Sequence, residues 1–485
     1  MLTQDDLEIA TLGLNEKPSP IHLSSTHGDG LGDFVPGAHR IRYQVDTSPD
    51  APHQELLFER AGPRERIYFD PFYTTAAIVT CGGLCPGLNN VIRSIYQELT
   101  RNYGVRHVLG IRNGYLGLNP ESGLEPIPLN DAYVSEIHKL GGTALGSSRG
   151  PQDPKIIVDF LHRHGINMLF CVGGDGTQRG AHQIYEEITR RGLKISIVGI
   201  PKTIDNDIEY VFRTFGFATA LEIAQQALCC GHVEARGAIN GIGLVKLMGR
   251  DAGFISAGAT LASQEVNFCL VPEVAFPMEG ANGFLPALKQ RILKSKHAVI
   301  AVAEGAGQHL FSAQNSNCDA SGNRQFQDIG TYLRDKITEY FRAENIPISL
   351  KYIDPSYLIR SVPANTADRL LSDQMARYAA HSAMAGNTDV LIGMWNNVFI
   401  HVPICTAIRA KKRMELTGEL WTNVLLSTGQ PRWPSVPGLA AECPCAVDDA
   451  APAHAGRNGA ADPIAGVPAR KKRPAKSSIG EIAAR

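Results

Sequence analysis

The sequence predicts an α/β protein: two Rossmann-like, doubly wound domains with mainly parallel sheets, an N-terminal extension and a disordered C-terminal tail. Three short apolar runs, at 75–80, 169–172 and 195–200, each lead into a loop rich in glycine or aspartate. Apolar residues at helical spacing follow the first two loops. Because strand, turn and helix in this order build parallel sheets, the loops should lie at the carboxyl ends of strands, where ligands bind.

Composition places the chain among globular proteins. It has 485 residues, of which 44% are hydrophobic and 20% charged, and its formal net charge is −1. This balance favours neither nucleic acid nor a membrane surface as a partner. No apolar run approaches the roughly 20 residues that span a bilayer, and the acidic N-terminus lacks the features of a signal peptide. The ten cysteines contain no C-x-x-C pair, so we expect buried thiols in a reducing compartment, the cytoplasm, rather than a zinc site.

The first part of the chain contains an extension and the first parallel unit. Residues 1–72 mix Gly, Pro, Ser and His, and we expect them to pack onto the main body without a core of their own. A strand at 75–80, a glycine turn at 82–87 and a helix follow. A second glycine-rich loop covers 141–150.

The central stretch, 169–207, is the most informative one. A strand at 169–172 runs directly into GGDGT at 173–177, and a polar helix should begin near Gln178. A second strand at 195–200 ends in PKTIDND at 201–207.

The rest of the chain is predicted to form a second domain and then to return to the first. The predicted elements are a small-residue helix at 214–230, strands within 242–253 and at 298–303, an exposed insertion at 308–327, a helix at 329–341, a long helix ending near 385 and a β-rich return at 391–404. Residues 436–485 are dominated by Ala, Pro and Gly and contain no aromatic residue, which predicts disorder. The basic cluster at 469–476 could be a localisation signal or an anion-binding patch, but a solvated tail is the favoured interpretation in a disordered segment.

The two central loops suggest phosphate chemistry. Backbone N–H groups of a glycine turn and a helix N-terminus attract phosphate, and Asp175 could hold Mg²⁺ through one carboxylate plus phosphate oxygens. Asp205 or Asp207 could accept a proton from a hydroxyl. GGDGT alone could equally be an ordinary turn with a helix cap; its combination with PKTIDND favours the functional interpretation.

Other phosphate and nucleophile motifs do not fit. Neither G-x-G-x-x-G nor G-x-x-x-x-G-K-[ST] occurs, which excludes the dinucleotide and P-loop signatures. Residues 146–150 match G-x-S-x-G, but no convincing strand precedes them. Arg149 is therefore better interpreted as a phosphate clamp than as part of a hydrolase motif.

Seven ordered motifs resemble the 6-phosphofructokinase family. They are GGLCPGLNNVIR (82–93), GGTALGSSRG (141–150), GGDGT (173–177), PKTIDND (201–207), KLMGRDAGF (246–254), AEGAG (303–307) and DPSYLIR (354–360). The resemblance covers roughly 55–410 and is strongest to the ATP-dependent branch of plants and some protists. It implies that Mg-ATP phosphorylates the 1-hydroxyl of fructose 6-phosphate, giving fructose 1,6-bisphosphate and ADP. It also implies an allosteric homo-oligomer, a dimer or a tetramer.

The resemblance further implies a division of the chain. Residues 73–215 with 359–410 would bind ATP, and 216–358 would bind fructose 6-phosphate. The donor site would consist of Gly82, Arg149, Gly150, Gly174, Asp175, Gly176 and Thr177, with Asp175 as the metal ligand. The catalytic residues would be Asp205, Arg250 and Thr203. The sugar site would consist of Thr203, Ile204, Asp205, Met248, Gly249, Arg250, Glu304, Lys351, Tyr357, Leu358, Ile359 and Arg360.

Donor choice depends on two residues. Pyrophosphate-dependent relatives carry Asp at the position of Gly176, where a carboxylate would repel the α-phosphate of ATP, so Gly176 indicates ATP. Lys202 indicates the opposite, because pyrophosphate-dependent enzymes also use this lysine. A pyrophosphate-dependent phosphotransferase remains the alternative. A non-catalytic regulatory subunit should have lost Asp175, Asp205 or Arg250, and all three are present.

Overall fold

Two mainly parallel sheets form the framework of the molecule, which confirms the predicted fold class. The computed structural model describes residues 2–45, 56–311 and 325–436. The tail predicted from 436 lies outside this part except for Val436, and so does most of the predicted insertion at 308–327. In the described part of the chain, no helix is both long enough and apolar enough to cross a membrane.

The elements of the described residues follow in chain order. The strands are β1 (Ala10–Thr11), β2 (Lys17–Pro18), β3 (Arg40–Arg42), β4 (Leu57–Arg60), β5 (Arg66–Ile67), β6 (Thr75–Thr80), β7 (His107–Ile111), β8 (Ile127–Pro128), β9 (Met168–Gly173), β10 (Ser196–Pro201), β11 (Gly241–Leu247), β12 (Phe268–Leu270), β13 (His297–Ala303), β14 (Ser349–Ile353), β15 (Asn387–Thr388), β16 (Val390–Trp395) and β17 (Val398–Pro403). The α-helices are α1 (Leu88–Gln97), α2 (Asp131–Val134), α3 (Pro154–Arg163), α4 (Asp175–Arg190), α5 (Phe217–Arg236), α6 (Phe254–Ser263), α7 (Phe284–Ser295), α8 (Ile329–Ala343), α9 (Ser356–Ser361), α10 (Thr366–Met384), α11 (Ile404–Ala407) and α12 (Glu419–Thr428).

The larger sheet has nine strands in the order β3-β4-β17-β16-β10-β9-β6-β7-β8. Its centre, from β7 to β16, is parallel. Every residue of β9 and β10 is buried, as expected for central parallel strands that are covered on both faces. Helices α4 and α10 both pack on β10. The loops after β6, β9 and β10 therefore leave the same edge of one sheet.

The smaller sheet is wholly parallel and has the order β12-β13-β11-β14. Helices α5, α7 and α8 pack against it. It has a hydrophobic cluster of its own, which includes Leu244, Ile300, Phe284 and Phe341. The predicted strands within 242–253 and at 298–303 correspond to β11 and β13.

The N-terminal extension adds strands to the main body instead of forming a separate core. Strand β4 pairs antiparallel with β17, and β1 pairs with β15. The ring of Tyr43 stacks on Trp395 with centroids 5.4 Å apart. The extension thus continues the larger sheet, in agreement with the sequence prediction that it packs onto the main body.

One helix boundary near the central motif differs from the sequence prediction. Helix α4 begins at Asp175 and not near Gln178, with Gly174 in extended conformation as its N-cap. The N–H groups of Thr177 and Gln178 donate to the Gly174 carbonyl, so GGDGT is half turn and half helix. An acidic residue in the first turn suits the helix dipole.

Candidate active site

The predicted donor turn lies where β9 passes into α4. A Cβ on Gly173 would lie 2.1 Å from the hydroxyl of Thr177, so only glycine permits this tight turn. Gly176 is exposed and Thr177 is buried. The Asp175 carboxylate, 28% exposed, accepts a hydrogen bond of 3.1 Å from Arg179 Nε. The Asp175 carboxylate therefore lies in the first turn of α4, at the end of the helix where backbone N–H groups lack intrahelical acceptors.

Two glycine-rich loops are joined beside this turn. The N–H of Gly82 donates to the Ser148 carbonyl at 3.1 Å, and the Ser147 hydroxyl donates to the Gly82 carbonyl at 2.6 Å. Gly150 has a φ of 108°, which favours glycine at this position. The serines of the discounted G-x-S-x-G match therefore bind the neighbouring loop.

Two arginines predicted for different ligands meet at Gly83. A methyl group added there would lie 3.7 Å from a guanidinium nitrogen of Arg149 and 3.7 Å from one of Arg360. The Nζ of buried Lys202 donates to the Gly83 carbonyl at 2.6 Å. Burial lowers the pKa of Lys202. The predicted donor clamp and the predicted sugar-phosphate clamp therefore lie close together at Gly83.

The acidic loop after β10 has a rigid internal structure. Pro201 is opposite Gly173 in the parallel pair, and the N–H of Lys202 donates to the Gly173 carbonyl. The Thr203 hydroxyl donates to Asp207 Oδ1 at 2.8 Å and accepts from the N–H of Asp205 at 3.1 Å. These bonds fix the acidic loop directly beside the donor turn.

Asp205 occupies an unusual environment. It is 8% exposed, and its Oδ1 has no hydrogen-bond partner among the described residues. Burial raises its pKa well above the ordinary value, and the charges of Asp207 and Glu304 raise it further, while the backbone N–H and the charge of Arg250 oppose the shift. An aspartate in water has a pKa of ~3.9; the tertiary structure raises that of Asp205 because it removes the carboxyl group from water.

Glu304 and Arg250 approach Asp205 from the smaller sheet. Glu304 follows β13, and its N–H donates to the Leu247 carbonyl at 2.9 Å. Burial raises the pKa of Glu304, whereas the positive charges of Arg250, Lys246 and Arg360 oppose that rise. Asp205, Arg250, Glu304 and Arg360 thus lie within one electrostatic environment.

Three further residues of the predicted sugar site contribute packing or backbone shape. Met248 is nearly buried, at 9% exposed, and Gly249 has a φ of 122°. Ile204 is also buried, at 6% exposed. These three residues support the loops through packing and backbone shape.

Helix α9 carries the last predicted sugar residues. Tyr357 and Leu358 are exposed, and Ile359 is fully buried, so its side chain packs in the core. The Arg360 guanidinium lies 5.1 Å from the centre of the Tyr357 ring. Lys351 is exposed in the edge strand β14, opposite Gly243.

Sequence reasoning missed several charged residues of this region. Lys246 pairs with Asp354 at 2.8 Å and lies near Glu304. Lys411 pairs with Asp251 at 2.5 Å and lies near Asp175 and Asp207. Lys246, Asp251 and Asp354 were within quoted motifs but had no assigned role, and nothing in the sequence around Lys411 marks it beyond a short basic run.

The residues present suit a magnesium ion that a nucleotide brings with it. Over the described ranges, no group of three or more His, Cys, Asp or Glu side chains could hold a metal ion alone. Mg²⁺ at phosphate sites commonly uses one or two carboxylates plus phosphate oxygens. The partly exposed carboxylate of Asp175, at a helix N-terminus beside a glycine turn, fits that donor set.

Comparison with known proteins gives consistent results. The family described as Phosphofructokinase matches residues 75–383. The ATP-dependent 6-phosphofructokinase of Borreliella burgdorferi is 50% identical over 434 residues, which cover 88% of this chain and 97% of that protein. ATP-dependent 6-phosphofructokinase 7 of Arabidopsis thaliana is 44% identical, with 85% of each chain covered. The ATP-dependent 6-phosphofructokinase of Trypanosoma brucei brucei is 45% identical, with 87% of each covered.

Solved structures share the fold at lower identity. The pyrophosphate-dependent phosphofructokinase of Marinobacter aquaeolei superposes with a TM-score of 0.60 at 20% identity and covers 76% of this chain and 95% of its own. Likeness at this identity shows the fold alone.

Proposed function

This chain belongs to the phosphofructokinase family, and from this premise we propose that it transfers the γ-phosphoryl group of ATP to the 1-hydroxyl of fructose 6-phosphate. The products are fructose 1,6-bisphosphate and ADP. This reaction is the committed step of glycolysis. One observation carries the proposal: Asp205, Arg250 and Glu304 share one electrostatic environment, while the loop of Asp205 is hydrogen-bonded to the end of the strand that leads to Asp175.

The donor phosphates would lie against the first turn of α4 and the two joined glycine loops. Backbone N–H groups at the start of α4, from Gly174 to Gly176, would face the phosphates, and Arg149 would supply a guanidinium. The N–H of Gly82 binds the Ser148 carbonyl, so Gly82 would contribute by letting the phosphates approach a backbone that has no side chain. Gly150 has no side chain and would therefore let its loop lie close to the phosphates. Asp175 would hold Mg²⁺, which would offset the negative charge of the donor phosphates during transfer.

The acceptor chemistry is assigned to Asp205. Its carboxylate takes the proton of the sugar 1-hydroxyl as that oxygen bonds to the γ-phosphorus and the bond to ADP breaks. A raised pKa makes a carboxylate a stronger base once it is ionised. Thr203 fixes the backbone of the loop, and Arg250 offsets charge on the transferred group.

The sugar itself would lie between the two sheets' loops. Glu304 would accept a hydrogen bond from a sugar hydroxyl. Met248, Gly249 and Ile204 would shape the floor of the sugar site. The 6-phosphate is assigned to Arg360 with Tyr357, Lys351 and the backbone at Leu358 and Ile359. Residues 73–215 with 359–410 are the ATP-binding part in this scheme, and 216–358 are the sugar-binding part.

ATP is the proposed donor because Gly176 leaves the space above the first turn of α4 open. The test is the initial rate of fructose 1,6-bisphosphate formation by the purified chain with ATP or pyrophosphate, each with and without Mg²⁺. We expect turnover with ATP and Mg²⁺ and its loss on chelation. Faster turnover with pyrophosphate would overturn the donor assignment.

The working state is proposed to be a cytoplasmic homo-oligomer, either a dimer or a tetramer. Free cysteines within the described chain, including buried Cys81, Cys85 and Cys171, suit a reducing compartment. Sedimentation velocity tests the oligomer, and cell fractionation tests the compartment.

A further inference from the structure

The segment 408–414, which follows α11, lies between the two loops that carry the proposed chemistry; we name it the connecting segment. On one side it binds the acidic loop. Lys411 forms an antiparallel bridge with Ile208, and the N–H of Lys412 donates to the Asp207 carbonyl at 3.0 Å. The Lys412 ammonium donates to the Val211 carbonyl at 2.8 Å.

On the other side the connecting segment binds the Arg250 loop. The Lys411 ammonium contacts Asp251 Oδ2 at 2.5 Å. The N–H of Met414 donates to Glu273 Oε1 at 3.1 Å, and the same oxygen accepts from the N–H of Gly253 at 2.9 Å. A single short segment therefore joins a loop of the larger sheet to a loop of the smaller one.

Lys411 also brings together charges from three separate loops. Its side chain is 27% exposed. Burial by itself would lower the pKa of Lys411, but the charge and hydrogen bond of Asp251 and the charges of Asp207 and Asp175 raise it above the ordinary value. One ammonium group thus faces carboxylates from the donor turn, the acidic loop and the Arg250 loop.

We propose that Lys411 is a positioning residue for phosphoryl transfer: it fixes the loop of Asp205 against the loop of Arg250 through its ion pair with Asp251. The inference rests on the proposed kinase activity. Phosphoryl transfer needs the base, the acceptor oxygen and the phosphoryl group at the correct distances and angles. A displacement of about 1 Å can reduce the rate about 10²-fold. The ion pair holds two loops that the chain joins only through a long connection.

The experiment compares Lys411→Met, Lys411→Arg and Asp251→Asn with the wild-type chain in the ATP assay. We expect kcat to fall about 10- to 100-fold in Lys411→Met, with the KM values for fructose 6-phosphate and Mg-ATP within about twofold of wild type. Lys411→Arg should recover most of kcat. The double variant Lys411→Met with Asp251→Asn should be no slower than the worse single variant, since both remove one interaction.

The matched control is Lys289→Met. Lys289 of α7 forms a comparably exposed ion pair at 2.7 Å with Glu344, which directly follows α8, and its loss should leave kcat unchanged. A Lys411→Met variant with wild-type kcat overturns the proposal, and so does one whose only change is a lower melting temperature. If Lys411→Met does not fold, Asp251→Asn decides by the same criteria. Failure of the proposed function would appear separately, as no turnover by the wild-type chain.

Discussion

Asp205 combines features that folding alone would not favour. Its carboxyl group is buried, and burial, Asp207 and Glu304 all raise its pKa. A buried carboxyl group without full hydrogen bonding destabilises a fold. Such local conflicts are found mainly at functional sites, so the electrostatics independently favour the residue that the motif indicated.

Asp205→Asn should separate activity from stability. We expect kcat to fall about 10²–10⁴-fold because the base is lost, with little change in KM. The free energy of unfolding should stay the same or rise, since the amide carries no charge to desolvate. Steady-state kinetics and urea unfolding measure the two effects. Full activity, or loss of activity that only follows loss of the folded state, would argue against the assigned role.

Gly176→Asp should change donor use without harming the fold. Gly176 is exposed in the first turn of α4, where an acidic side chain stabilises a helix by about 0.3–1 kcal/mol. A carboxylate facing the α-phosphate would add a like-charge contact of several kcal/mol, so kcat/KM for ATP should fall at least about 10²-fold.

Gly176→Asn is the control, because it matches the size of Asp without the charge. A smaller loss with Asn than with Asp would assign the effect to charge. Unchanged ATP turnover in Gly176→Asp would show that this residue does not determine donor choice.

At the scale of elements, the two sheets meet through loops that approach very closely. A Cβ on Gly305, just after β13, would lie 1.7 Å from the carbonyl oxygen of Arg250. The N–H of Gly305 donates to the Gly249 carbonyl at 3.1 Å. The backbone after β13 therefore sets the position of the Arg250 loop, and with it the distance between Glu304 and Arg250.

Gly305→Ala should force these loops apart. We expect a destabilisation of about 1–3 kcal/mol from overpacking and a KM for fructose 6-phosphate that rises at least about tenfold, because Glu304 and Arg250 would be displaced. Gly37→Ala is the control, since nothing lies within 4 Å of a Cβ there. Thermal unfolding and kinetics measure both variants; equal behaviour of the two would contradict this account.

At the scale of the whole molecule, a buried polar network fixes α10 to the helical segment Glu98–Tyr103, which follows α1. His381 lies in α10, and its Nδ1 is 2.9 Å from the Tyr103 hydroxyl. Arg377 of the same helix binds the buried carboxylate of Glu98 at 2.6 Å. Burial lowers the pKa of His381 to about 3, and the charges of Arg377 and Arg64 contribute.

This network predicts sensitivity to acid. The pKa of His381 in the folded state, about 3, lies below the roughly 6.5 of an unfolded histidine. Between these values the unfolded chain binds the extra proton, so stability is lost as pH falls, by about 1.4 kcal/mol per pH unit. His381→Gln should reduce the slope of unfolding free energy against pH by that amount.

Tyr103→Phe is the comparison, because it removes the hydrogen bond and keeps the titrating group. It should lower stability at every pH and leave the slope unchanged. Urea unfolding at pH 7.5, 5.5 and 4.5 measures both variants, because the full slope is reached only about one pH unit below the pKa of the unfolded histidine. A wild-type slope in His381→Gln would remove His381 as the source of the acid sensitivity.

Local signals in the sequence were sufficient for the architecture. Apolar runs predicted β6, β9, β10 and β13, because central parallel strands are buried on both faces. The loops after these strands followed from their glycines and aspartates. The start of α4 at Asp175 was missed, since its first turn consists of glycine and polar residues that carry no apolar periodicity.

The sequence by itself determined the α/β fold and the family, and it predicted which residues bind phosphate and remove a proton, because these depend on residue type and local spacing. Only the tertiary structure decided that Arg149 and Arg360 meet at Gly83, that the pKa of Asp205 is raised, and that Lys411 pairs with Asp251 and lies near Asp175 and Asp207. Each of these findings depends on distances between residues far apart in the chain and on the removal of water during folding. Local sequence specifies neither the distances nor the removal of water.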